Sequence, residues 1–362
     1  KSGKIYCEST KRKMQYGQGV HSNGGTIEVT GGSIYNCNIG VGVNHGNGAN
    51  GGNKEDAYAT FSGGFIYNND IGIQINNSIA DINSVYVGLT SYTNADTYQV
   101  SSNTTYGISI SGKSDVWMES AGRIYHTGNE GIHNEGSLDI TSNTNGNRTK
   151  IWGNAGYGIR NTATGYVYLY GVNIDGAKTG VLNENTRKDS CNIENSPFST
   201  KGTVIQNCTL RGVQNNGNMS IVTVDYGLGN RVEIINNGGG DKGGGIYNNT
   251  GRTCLIDAQS SDADSIRINA NKGNYGGGIY NDGTVTLKGT VSVSGNTASS
   301  SGGAIYNNQN LIINNGRILN NTAATYGGGI MNKNTLTVTG GEITGNRAVA
   351  NSGGGICNDG GT

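Results

Sequence analysis

One short unit recurs along the whole chain: glycine, an aliphatic residue, any residue, then usually asparagine. Its aliphatic anchors are Val20, Val41, Ile73, Ile108, Ile132, Ile159, Val181, Val213, Ile246, Ile279, Ile305, Ile330 and Ile356. Successive anchors stand 21–27 residues apart, or 32–35 where an inserted loop enlarges the unit. Such a period is too short for a strand-plus-helix repeat, and the strands it allows are too short for a hairpin meander. Within 279–305 the chain reads as IYN, a turn at DG, TVTLKG, GTVSVSGN and a polar link to the next unit. Three short strands and three corners in about 25 residues describe one coil of a right-handed, single-stranded parallel β-helix. The expected fold is therefore an all-β solenoid of about 13 coils, continuous over residues 1–362. Residues 1–242 read as irregular coils with inserted loops. Residues 243–362 read as regular GGGIYN-type coils, expected to continue beyond residue 362 or to stack end to end.

This fold accounts for a composition that would otherwise suggest disorder: 64 glycines and one proline in 362 residues. Glycine suits sharp corners and close coil-to-coil approach, and proline is excluded where each strand must donate to a ladder. Strand alternation puts Ile279 and Asn281 inside and Tyr280 outside. Asn248, Asn281, Asn307, Asn332 and Asn358 then form one internal column, and Asn296, Asn321 and Asn346 a second. Both are expected to pass amide hydrogen bonds from coil to coil and to satisfy corner carbonyls. None of the six cysteines forms a CxxC pair. Cys37 and Cys208 follow an asparagine at equivalent places and read as small buried residues; Cys7–Cys37 and Cys191–Cys208 disulfides are the alternative.

Residues 243–362 resemble the polymorphic outer-membrane protein repeats of bacterial surface adhesins, which carry GGA(I/L/V) and FxxN elements. Gly302-Gly303-Ala304-Ile305 matches the first element, and GGGI at 243–246, 276–279, 327–330 and 353–356 matches it with one change. The second appears as Val293…Asn296, Ile318…Asn321 and Ile343…Asn346, with an aliphatic in place of phenylalanine. The resemblance implies an extracellular, cell-surface-attached β-helix used for adhesion without catalysis, with a host or microbial glycan or protein as partner.

Zero net charge argues against nucleic acid, since a binder needs a basic stripe, and Lys11-Arg12-Lys13 is the one basic run. No stretch approaches the roughly 18 apolar residues of a membrane span. Glycoside hydrolysis requires two carboxylates across a groove. Glu135 and Glu184 share a column, but Thr162 intervenes; Asp282 and Asp359 stand in NDG turns, where turn chemistry explains them. Asp257, Asp262 and Asp264 form a weak calcium candidate, and Glu55-Asp56 is the other acid-rich loop. His45-Gly46 lacks paired aspartates, and His21, His126 and His133 lack metal-ligand spacing. No cofactor fingerprint is present. The expectation is a protein without a catalytic site, metal or cofactor.

Recognition is expected instead from exposed aromatics. Tyr247, Tyr280 and Tyr306 share an outward column, and Tyr166, Tyr168 and Tyr170 alternate outward in GYVYLYG. Stacked tyrosines offer flat faces to sugar rings or protein, although cross-strand packing is the plainer role. Loops at 44–62, 89–106, 183–201, 225–242 and 255–265 interrupt the repeat, and the first two carry Tyr58, Phe61, Tyr92 and Tyr98. Three functions compete: a non-catalytic adhesin or stalk, a polysaccharide-active enzyme or carbohydrate-binding module, and a self-assembling fibre.

Overall fold

A computed structural model describes residues 3–6, 17–45, 57–94, 97–119, 122–125, 128–142 and 148–362. Cys7, the basic run 11–13, Gly46, Glu55, Asp56 and His126 lie outside the described residues, as do the side chains of Tyr92 and Tyr98. The chain divides into two compact units, residues 1–167 and 168–362. Each is an all-β parallel β-helix.

The anchors set the register. In the first unit Val20 pairs with Val41, Val41 with Ile73, Ile73 with Ile108, Ile108 with Ile132 and Ile132 with Ile159. In the second, Val181, Val213, Ile246, Ile279, Ile305, Ile330 and Ile356 pair in succession. From Val41 to Ile330 the anchors have no exposed surface. Stacking like on like buries an aliphatic column within each unit, and each anchor contributes one residue to it. The other walls repeat the logic: Cys254, Val285 and Leu311 align, as do Ile256, Leu287 and Ile313.

Three strands per coil proves too few for the second unit. Gly238–Lys242, Lys272–Tyr275, Thr297–Ala298, Thr322–Ala323 and Arg347–Ala348 form a further parallel sheet just after the second asparagine column. What the sequence presents as a polar link is therefore partly ladder: residues of the Asn-Thr-Ala type continue extended past the corner.

Both asparagine columns form. Asn248 donates from Nδ2 to Asn281 Oδ1 (2.9 Å), Asn281 to Asn307 (2.8 Å), Asn307 to Asn332 (2.7 Å) and Asn332 to Asn358 (2.7 Å). The column starts earlier than the regular coils, because Asn183 donates to Asn215 and Asn215 to Asn248. In the first unit Asn134 donates to Asn161 at 2.9 Å, while Val43, Ile75 and Ile110 fill the equivalent place in earlier coils. In the second column the backbone N–H of Asn296 donates to Asn321 Oδ1 (2.9 Å), and that of Asn321 to Asn346 Oδ1 (2.9 Å). Asn237 and Asn271 extend it. Cys208 heads it, its N–H donating to Asn237 Oδ1, and Cys37 does the same with Asn69 in the first unit. A cysteine can replace asparagine here because its backbone, not its side chain, supplies the donor. Cys191 and Cys208 are buried free thiols, so no disulfide joins them.

Candidate functional site

The tyrosine column of the second unit is built as expected but closed at its middle member, Tyr280. Tyr247, Tyr280 and Tyr306 are register partners, and the Tyr280 and Tyr306 rings stack at 5.2 Å with planes 1° apart. Lys242 Nζ lies 4.7 Å from the Tyr280 ring centroid and 3.3 Å from Asp282. Asn308 Nδ2 donates to both Tyr280 Oη and Asp282 Oδ1 at 2.8 Å. Burial first, then the charge of Asp282, pushes the Tyr280 hydroxyl well above its ordinary pKa. Tyr280 is only 5% exposed. This corrects the expectation that Tyr280 offers a face to a ligand: its ring is covered by its neighbours, the cross-strand packing role, while Tyr247 and Tyr306 are half-buried.

Phe61 is a second correction. It lies in the strand Ala57–Tyr67, where Ala57, Ala59 and Phe61 point inward and are fully buried. Strand alternation, not loop display, fixes it. Tyr58, on the opposite face, is half-buried and donates to Asp81. Within residues 89–106, Leu89–Asn94 pairs antiparallel with Thr97–Val100, a register that sets Tyr98 opposite Tyr92. Tyr166, Tyr168 and Tyr170 are half-buried between inward Val167 and Leu169.

The acidic loop candidate also resolves differently. Asp257 belongs to the strand Thr253–Ala258 and pairs with Lys288 at 3.1 Å, and Asp264 pairs with Arg317 at 2.8 Å. The backbone N–H of Asp262 is held by Ser260 Oγ. Cations of the protein itself thus occupy two of the three carboxylates. Among the described residues no group of three or more His, Cys, Asp or Glu side chains is placed to hold a metal.

His133 acquires partners that spacing did not reveal. Its Nδ1 is 2.7 Å from Glu130 and its Nε2 3.3 Å from Glu135, while Arg160 lies 3.3 Å from Glu130 and the Tyr106 ring stacks on the imidazole at 4.7 Å. With both ring nitrogens facing carboxylates, the imidazolium is the form that fits, since it donates twice. The group is a closed charge network, with neither ring nitrogen left to act as a base.

A different wall of the first unit is open. In the strand Asp115–Glu119, Val116 and Met118 are buried while Trp117 faces outward, 38% exposed. Trp117 pairs in register with Asp81 on one side and Asp139 on the other. Asp81, Asn83, Trp117 and Glu119 line a depression of about 270 Å³. Asp139 is the register neighbour of Trp117 in the next coil, so its carboxyl lies beside the indole. Burial, then the charge of Asp115, raises the Asp139 carboxyl above its ordinary pKa, and the neighbouring Trp117 indole only partly offsets them. An exposed indole face surrounded by hydrogen-bond acceptors can stack on a sugar ring and hold its hydroxyls.

Sequence reasoning missed this site. Its local signal is tryptophan at an outward place in DVWME with Glu119 two residues on; Asp81 and Asp139 lie in other coils, separated by irregular loops. In the second unit, Phe198 (53% exposed) and Tyr226 (37%) also stand out, on loops joined at their base by Asn195 Nδ2 donating to Asn230 Oδ1. No protein-family model, curated protein or solved structure matches this chain.

Proposed function

We propose that this protein is an extracellular, cell-surface-attached β-helix that binds glycans without cleaving them, with the Trp117 depression as the seat. The observation that carries this reading is the outward indole of Trp117, set between Asp81 and Asp139 above a depression also lined by Asn83 and Glu119. The rigid stack of coils supports it, because a platform whose strands are locked on both sides needs little reordering on binding. The likeness of residues 243–362 to adhesin repeats supplies the cell-surface part of the proposal.

A polysaccharide-cleaving reading has one observation in its favour. Two carboxylates flank the ring, one coil to either side, and burial raises the Asp139 carboxyl above its ordinary pKa, the direction a general acid needs. One experiment separates the two. The full chain is screened on a glycan array and incubated with the glycans that bind, with released ends and unsaturated products assayed. Binding without turnover, lost in Trp117→Ala and kept in Tyr280→Phe, is the expected outcome. Turnover abolished by Asp139→Asn would replace the adhesin reading with the enzymatic one. Binding untouched by Trp117→Ala would remove the seat.

A further inference from the structure

The walls of the first unit are not electrically alike. The strands Gly25–Tyr35, Ala57–Tyr67, Ile79–Ile82, Asp115–Glu119 and Ser137–Thr141 contain five carboxylates, Glu28, Asp81, Asp115, Glu119 and Asp139. All five are exposed or half-buried, and no lysine or arginine occurs in these strands. The protein as a whole has 25 basic and 25 acidic residues, so this wall departs from a neutral background. Register gathers the charges about one ring. Asp81 and Asp139 lie one strand spacing to either side of Trp117, about 9.6 Å apart. Glu119 follows two residues on, beside Asn83, whose Oδ1 accepts the Glu119 N–H.

We infer that the Trp117 seat selects glycans bearing unsubstituted amino groups, polymers of cationic hexosamine, over neutral and acidic glycans. This rests on the glycan-binding reading and names its ligand class. The indole face takes the apolar side of one pyranose ring. Carboxylates on either side of that ring meet ammonium groups on the same and the adjoining sugar, and the indole's own π-face attracts a cation. An acidic sugar at the same place would set like charges together in a half-desolvated depression, which excludes it. Each exposed cation–carboxylate contact favours the amino sugar by about two- to fivefold, and a cation–π contact by a similar factor, so the combined preference is tenfold or more.

The test titrates the full chain with a hexamer of β-1,4-linked glucosamine, its fully N-acetylated counterpart, a galacturonate hexamer and a short polylysine. Binding is followed by calorimetry and tryptophan fluorescence. The chain has two tryptophans, and Trp152 is 8% exposed, so a Trp152→Phe background assigns the optical signal to Trp117. The glucosamine hexamer is expected to bind at least tenfold more tightly than the N-acetylated one, with an advantage that shrinks as salt screens the charges. Asp139→Asn combined with Glu119→Gln is expected to cut that advantage about fivefold.

Equal binding of the two hexamers, still lost in Trp117→Ala, overturns the charge selection and leaves the glycan seat standing. Polylysine binding as tightly as the glucosamine hexamer overturns it as well, since charge alone would then suffice. Failure of every glycan to bind overturns both readings.

Discussion

Asn307 donates from Nδ2 to Asn332 Oδ1 at 2.7 Å while its own Oδ1 accepts from Asn281 Nδ2 at 2.8 Å. The same amide nitrogen reaches the carbonyls of Gln309 and Thr335, and the side chain has no exposed surface. One residue therefore ties three coils together at a corner where backbone carbonyls would otherwise be buried alone. Replacing Asn307 by alanine strands those carbonyls, and the expected loss of stability is about 2–4 kcal/mol in denaturant unfolding. Asn307→Asp keeps the acceptor but loses both amide protons and buries a charge, so at neutral pH it should cost at least as much.

Within the GGAI turn the two glycines and the alanine are not equivalent. A Cβ on Gly303 would stand 2.2 Å from the Gly328 carbonyl oxygen and 2.6 Å from the Thr322 carbonyl carbon, both backbone in the next coil. Ala304, one residue on, already carries its methyl group in a fully buried position. Gly303→Ala should therefore destabilise the second unit by roughly 1–3 kcal/mol, and Ala304→Gly by less. Parallel melts of the two variants would check the order; a silent Gly303→Ala would show that the coils separate more freely than this contact allows.

His133 confers a pH dependence whose sign follows from its setting. Burial alone would lower its pKa from 6.5, but hydrogen bonds and charge from Glu130, then Glu135, outweigh it and raise the value. A folded pKa above the unfolded one means the network's contribution is complete below about 6.5 and fades as pH rises through the higher folded value. The midpoint of unfolding should fall over that window, and the step should flatten in His133→Gln. Proton NMR titration of the imidazole provides the direct check.

The cysteines divide by accessibility. Burial pushes the thiols of Cys191, Cys208 and Cys254 up to about 12, and each is fully buried or nearly so. Thiolate is the reactive form, so these three should resist alkylation at neutral pH until the chain unfolds. Cys357 is partly exposed and should react before these three in the native protein. Mass spectrometry after brief and after denaturing labelling would test this, and early labelling of Cys254 would contradict it.

The architecture of this protein was legible in its sequence because the repeat aligns identical environments. Ile279 over Ile305, and Asn281 over Asn307, follow from spacing alone once strands pair in parallel, and the second asparagine column follows likewise. Sequence also directed attention to the wrong aromatics. Tyr280 looked outward and is outward, yet Tyr306, Lys242 and Asn308 close over it, which alternation does not encode. Phe61 looked like a loop residue because glycine-rich flanks hide the period-2 pattern of AYATF. The thiol of Cys191, the carboxylate pair that holds His133 and the wall around Trp117 all depend on which residues of different coils fall side by side. Those neighbours are separated by loops of irregular length, so local pattern sets the coil while cross-coil register assembles the site. That register is decided by burying the aliphatic columns as a whole, and only the folded stack shows which surface residues it brings together.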